Sequence, residues 1–142
     1  MTISNPELPS SSTFPSTVNP APYPYVVAVA GGRNYVDGGD TIFEALDSLV
    51  PRPDLVVHGD CHSGADIYVT RWCMTRGVAL AKYPALWEAH GKSAGPRRTK
   101  WMLQFARPAL LVVFHGGSGT AAAVEIAGRL GIPVKDLRGV SA

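Results

Sequence analysis

Three glycine-bearing turns hold the residues best suited to chemistry. Gly31-Gly32-Arg33-Asn34 follows the apolar run 25–30, and Gly59-Asp60-Cys61-His62-Ser63-Gly64 follows 55–58. Gly116-Gly117-Ser118-Gly119-Thr120 follows 109–114 and precedes a helix-like stretch, 121–130. A strand, a glycine turn and a helix in that order bring several backbone N–H groups and a helix N-terminus to one point, which favours a phosphate or another anion. The glycines allow close approach that a Cβ would block. An arginine fork suits a phosphate, and Arg97 and Arg98 stand together just after Pro96. Arg33 and Asn34 can reach a phosphate or a ribose hydroxyl. Asp60 is a candidate for ribose hydroxyls or acid–base work, and Asp66 reads first as a helix cap. His58, His62 and His115 lie at or just after strand ends, where one of them could move a proton. Trp87 and Tyr83 are placed to stack on a base.

The elements that must position these groups follow from hydrophobic pattern. Runs 25–30 (YVVAVA), 55–58, 78–83, 109–114 and 132–134 are short, apolar and bounded by glycine or proline, as buried parallel strands are. Between them lie four helical patterns. The first begins near Asp40, with Thr41 and Glu44 at capping-box spacing, and places Ile42, Phe43, Leu46, Leu49 and Val50 on one face. The second runs from Ala65 to about Thr75 with Gly77 at its C′ position, and Ser63 and Asp66 echo the capping-box spacing. It would bury Ile67, Val69, Trp72 and Cys73. The third starts at Pro96 and stops at Pro108, after an irregular stretch, 84–95. The fourth is 121–130, ended by Gly131. Alternation of strands and helices predicts a doubly wound α/β fold with a mainly parallel five-stranded sheet and about four helices. In such sheets ligands bind beyond the carboxyl ends of the strands, so the topology should gather all three glycine turns on one edge.

Composition sets the bounds. The chain has 142 residues, long enough for one domain with its own core. Residues 1–24 hold six of the twelve prolines and only one charged residue, Glu7, and read as a disordered or loosely docked tail before a domain at 25–142. A formal charge of +2 speaks against a nucleic-acid partner. Cys61 and Cys73 form neither a metal pattern nor a disulfide framework, and the histidines lack zinc spacing, so neither a metal nor a cofactor is expected. The first basic residue is Arg33, and no apolar run approaches the roughly 20 residues of a membrane helix. A cytoplasmic protein with no membrane partner is expected.

The segments AGGRNY, VHGDCHSGAD, AGPRRTKWML and FHGGSGT, in that order, resemble YspA-like members of the SLOG superfamily over about residues 25–135. The resemblance implies a Rossmann-like fold and a nucleotide-derived small-molecule ligand. By analogy it also implies a homo-oligomer and a bacterial or phage origin. The superfamily includes the Lonely Guy phosphoribohydrolases and the DNA-processing protein DprA. The phosphoribohydrolases carry PGGxGTxxE and an upstream arginine. Here GGSGT matches, His115 replaces the proline, and Arg98 precedes Met102 by four residues as the family's arginine precedes its methionine. The position of the catalytic glutamate is Ala123, and Glu125 lies about 200° further round a helix. The candidate ligand set, from the turns, the arginines and the resemblance together, is Gly31, Gly32, Arg33, Asn34, Gly59, Asp60, Ser63, Gly64, Arg97, Arg98 and Gly116 to Thr120. Binding of a nucleotide derivative is the leading expectation. Hydrolysis of an N-glycosidic bond would need Asp60 or Glu125. Single-stranded DNA binding, along Arg33, Arg97, Arg98 and Lys100, is the third alternative.

Overall fold

The computed structural model describes residues 18–33, 35, 39–60 and 64–139. Its strands are β1 (Val26–Ala30), β2 (Leu55–His58), β3 (Ala79–Lys82), β4 (Leu110–Val113) and β5 (Val134–Asp136). The helices are α1 (Asp40–Asp47), α2 (Ala65–Arg76), a single turn α3 (Trp87–His90), α4 (Ala94–Ala106) and α5 (Ser118–Leu130), and a 3₁₀ turn (Gly91–Ser93) joins α3 to α4. The strands form one sheet in the order β3-β2-β1-β4-β5, every pair parallel. This is the Rossmann-like α/β arrangement expected. The chain winds outward from β1 to β3 and then returns to the other side of β1, so the strand order reverses between β1 and β4.

Alternation along the strands explains the layers. Val27, Val29, Val56, Val112 and Phe114 pack with α1 and α2 residues such as Ile42, Leu46, Val69 and Trp72. Val26, Ala28, Val57, Leu111 and Val113 face the other way, onto Met102, Leu103, Ala123 and Ala127 of α4 and α5. A parallel sheet covered on both faces needs the near-continuous apolar strands that the sequence has. Val18 and Tyr23 also pack against this second cluster, so docking begins before residue 25.

Several boundaries differ from the pattern. α1 is preceded by Gly39 at φ 90°, with no side-chain cap, so Thr41 and Glu44 lie inside the helix rather than forming a box at its start. Val50 is 91% exposed, beyond the end of α1 at Asp47, and does not join its apolar face. α2 ends at Gly77, with φ 70°, as the glycine signal implies. α4 starts at Ala94, two residues before Pro96, because a proline in the first turn removes an N–H that has no intrahelical acceptor. β5 begins at Val134 rather than Ile132, although the Pro133 carbonyl already accepts from Leu111 N–H (2.9 Å). α5 starts at Ser118, so Ser118-Gly119-Thr120 is the helix's own first turn rather than a loop before it. Asn34, Cys61, His62, Ser63 and residues 1–17 of the expected tail lie outside the described residues.

Candidate functional site

The loops that follow β1, β2 and β4 meet at the carboxyl edge of the sheet. Gly32 N–H donates to His115 O (2.9 Å), and Ala65 N–H at the start of α2 donates to Gly32 O (3.1 Å). The β1 loop is thus stitched to the β4 loop on one side and to α2 on the other. Glycine permits this closeness. A Cβ on Gly32 would stand 2.9 Å from Gly116 Cα, and one on Gly31 would stand 2.5 Å from Ala65 Cβ. A Cβ on Gly64, at φ 77°, would strike Gly32 O.

Beside these loops lies a cavity of about 600 Å³. Its wall includes Gly31, Gly32 and Arg33 from the first turn, Gly59 from the second, and Gly117, Ser118, Gly119 and Thr120 from the third. Arg98 and Met102 line it from α4, with Trp87 and Lys92 from the segment before. Of the expected ligand residues, Asp60, Gly64, Arg97 and Gly116 do not line the cavity. Gly64 and Gly116 act one step behind it, by letting the loops close.

The start of α5 brings backbone donors to the cavity wall. Gly117 occupies the N-cap position and no side chain caps the helix. The first intrahelical bond of this end runs from Ala121 N–H to Gly117 O (3.1 Å), which leaves the amides of Ser118, Gly119 and Thr120 upstream of it. Neither Ser118 nor Thr120 serves as a cap.

Arg98 is held rather than free. With α4 beginning at Ala94, Arg98 falls in the second turn, where the unfavourable helix dipole has faded. Its Nη1 donates to Gly59 O, in a short bond, and to Tyr83 O (3.3 Å). Nε faces Thr99 Oγ1 at 3.3 Å. Gly59 is glycine for a local reason, since a Cβ there would occupy the space of the guanidinium. Arg97 instead is exposed and donates to Ser93 Oγ (2.9 Å).

The candidate acids and bases fall elsewhere. Asp60, in the left-handed region at φ 58°, lies 3.8 Å from Lys82 Nζ. Glu125 is exposed on α5 and pairs with Arg129 at 2.9 Å. Ala123, at the position of the phosphoribohydrolase glutamate, does line the cavity. His58 is 1% exposed, and its Nδ1 accepts from Asp60 N–H (2.8 Å), so Nε2 carries the proton and donates to Thr70 Oγ1 (2.7 Å). Burial pushes its pKa below the ordinary histidine value. It is a neutral strut for the β2 loop. His115 is exposed, and its backbone carbonyl holds Gly32. Tyr83 is buried against Trp101 (ring centroids 4.8 Å apart) and is not placed to stack on a ligand. Trp87 is half-exposed, with the Arg33 guanidinium 5.4 Å from its ring centre. Among the described residues no three His, Cys, Asp or Glu side chains gather as they would around a metal. No described helix is long and apolar enough to cross a membrane.

Two charged wall residues escaped the sequence reading. Lys92 carried no motif, since it sits in the segment read as irregular. Asp66 looked like a helix cap because of its position after Ser63, yet it is 95% buried and lines the cavity from the first turn of α2. The signal available was its place one residue after a Gly-Ala pair that packs on the β1 loop.

No curated protein and no solved structure gives a significant match to the chain. A family model does: residues 25–90, from β1 through α3, match the YspA, cpYpsA-related SLOG family.

Proposed function

We propose that the protein binds a nucleotide or nucleotide-derived ligand, holding its phosphate on the first turn of α5. One observation carries the reading. A single cavity at the reversal of strand order brings an uncapped helix N-terminus together with Arg33, Lys92 and Arg98. The family match over residues 25–90 supports it, since this family suggests nucleotide-related binding or processing. Arg98 would supply a guanidinium already oriented by Gly59 O and Tyr83 O, so little side-chain entropy is lost on binding. Trp87 would offer a stacking face at the rim. Hydrolysis draws no support from Asp60 or Glu125, which pair with Lys82 and Arg129 away from the wall.

The test is a thermal-shift series with inorganic phosphate, AMP, ADP-ribose and NAD. A ligand present at 100 times its Kd stabilises the folded state by about 2.7 kcal/mol, which raises Tm by several degrees. Arg98→Ala should abolish the rise. No rise with any of the four, in protein with a cooperative melt, would refute the proposal.

A further inference from the structure

The segment between β3 and α4 puts two side chains on the cavity wall without burying one of its own. None of residues 84–93 is buried, and Trp87, Glu88, Ala89, Gly91, Lys92 and Ser93 are exposed. The residues at either side are its anchors, since Tyr83 and Ala94 are both fully buried. Arg98, itself in the cavity wall, donates from Nη1 to Tyr83 O (3.3 Å), so one anchor is tied to the site. Inside the segment the N–H groups of Ala89 and His90 donate to Leu86 O at 3.1 and 2.9 Å, and Ser93 Oγ donates to His90 O at 2.8 Å. These bonds hold its shape rather than its position. A piece bonded to itself, with no buried residue and two buried ends, is where a fold opens most readily.

Its two wall residues are of the kinds a nucleotide meets. Trp87 presents an aromatic face and Lys92 a cation to the same cavity. The Arg33 guanidinium, from the loop after β1, lies 5.4 Å from the Trp87 ring centre, so the segment already touches that rim through its aromatic face. Such a contact is weak where water reaches it, and a nucleobase offers the same face a larger flat partner. We propose that residues 84–93 form a flap that closes on the ligand, and that Trp87 makes closure depend on a base. The ring stacks on the base while Lys92 meets the phosphate. The inference rests on the anion-binding reading of the same cavity and deepens it from a phosphate site to one that selects base-bearing nucleotides. A sugar phosphate engages Lys92 and leaves Trp87 against Arg33, whereas a nucleotide engages both flap residues.

Amide hydrogen exchange at short labelling times, with calorimetric affinities for AMP and ribose 5-phosphate, tests this on the full chain. Wild type should bind AMP roughly 5- to 100-fold more tightly than ribose 5-phosphate, the range that base–aromatic stacking gives. Saturating AMP should slow exchange across residues 84–93 by roughly tenfold or more, and saturating ribose 5-phosphate should not. In Trp87→Ala the preference should fall to about twofold or less and the slowing should vanish, with ribose 5-phosphate affinity unchanged. Trp87 is 48% exposed, so its loss spares the core, and Trp87→Phe, which keeps a ring, should retain most of the preference. A preference that survives in Trp87→Ala, or exchange in residues 84–93 that AMP leaves unchanged, would overturn the flap. Equal binding of the two ligands by wild type would overturn it too and leave the anion site standing. No binding of either would remove both.

Discussion

Adding one methyl group at Gly116 or Gly32 should show whether the loops are in contact as described. A Cβ on Gly116 would meet Gly32 N at 2.8 Å and Thr120 Cβ at 2.9 Å, besides striking Thr120 Oγ1. A Cβ on Gly32 would meet Gly116 Cα at 2.9 Å and His115 O at 3.2 Å. These obstacles are mostly backbone, and they belong to the two turns that flank the reversal of strand order. The clash can be relieved only by parting the loops, which breaks the 2.9 Å bond from Gly32 N–H to His115 O. Overpacking of this kind costs about 1–3 kcal/mol, or roughly 3–15 °C in Tm for a domain of this size. Gly128 provides the contrast. It is helical in α5, and a Cβ there meets nothing within 4 Å. Gly128→Ala should therefore stabilise by about 0.5–1 kcal/mol through helix propensity and lost unfolded-state freedom. Calorimetric melts of the three variants against wild type provide the assay. Gly116→Ala and Gly32→Ala melting at or above the wild-type temperature would refute the contact between the turns.

Other outcomes follow from the same geometry. Arg98→Lys keeps the charge but loses the fork, so phosphate affinity by calorimetry should fall roughly 10-fold or more, and Gly59 O and Tyr83 O lose their donor. His58 has a folded-state pKa below its unfolded value because of burial, so its contribution to stability is complete above about pH 6.5 and declines as pH falls from there toward the folded pKa. Denaturant midpoints measured from pH 7.5 to 5 should show that decline, and His58→Gln should flatten it. Trp72 and Trp101 are buried, so a change in tryptophan fluorescence on adding AMP should come from Trp87 and vanish in Trp87→Phe.

The centre of the sheet was legible because β1, β2 and β4 are short valine- and leucine-rich runs followed closely by glycine, and a parallel strand buried on both faces leaves that trace. The convergence of the turns followed from topology alone, since parallel strands send all their carboxyl ends to one edge. Helix starts were less legible. α5 begins at Ser118 with Gly117 as its cap, and no capping side chain announces it. The three-residue error mattered, because it turned the helix's own first turn into an apparent loop. The roles of the carboxylates were not legible. Asp60 and Asp66 are six residues apart in one stretch of small residues, and nothing in their types distinguishes the one that pairs with Lys82 from the one that lines the cavity. That distinction depends on where α2 starts and on how Gly64 packs against the backbone of the β1 loop. Tyr83 and Trp87 present the same problem. Both follow β3, and only tertiary packing sends one into the core beside Trp101 and the other to the rim.

Amide-resolved titration of the ¹⁵N-labelled protein with AMP tests the anion site most directly. Saturable shifts should be largest at the backbone N–H groups of Ser118, Gly119 and Thr120, with the Arg98 Nε signal moving at the same ligand concentrations. Saturable binding that leaves those three amides in place, or no binding by the folded protein, would contradict the site.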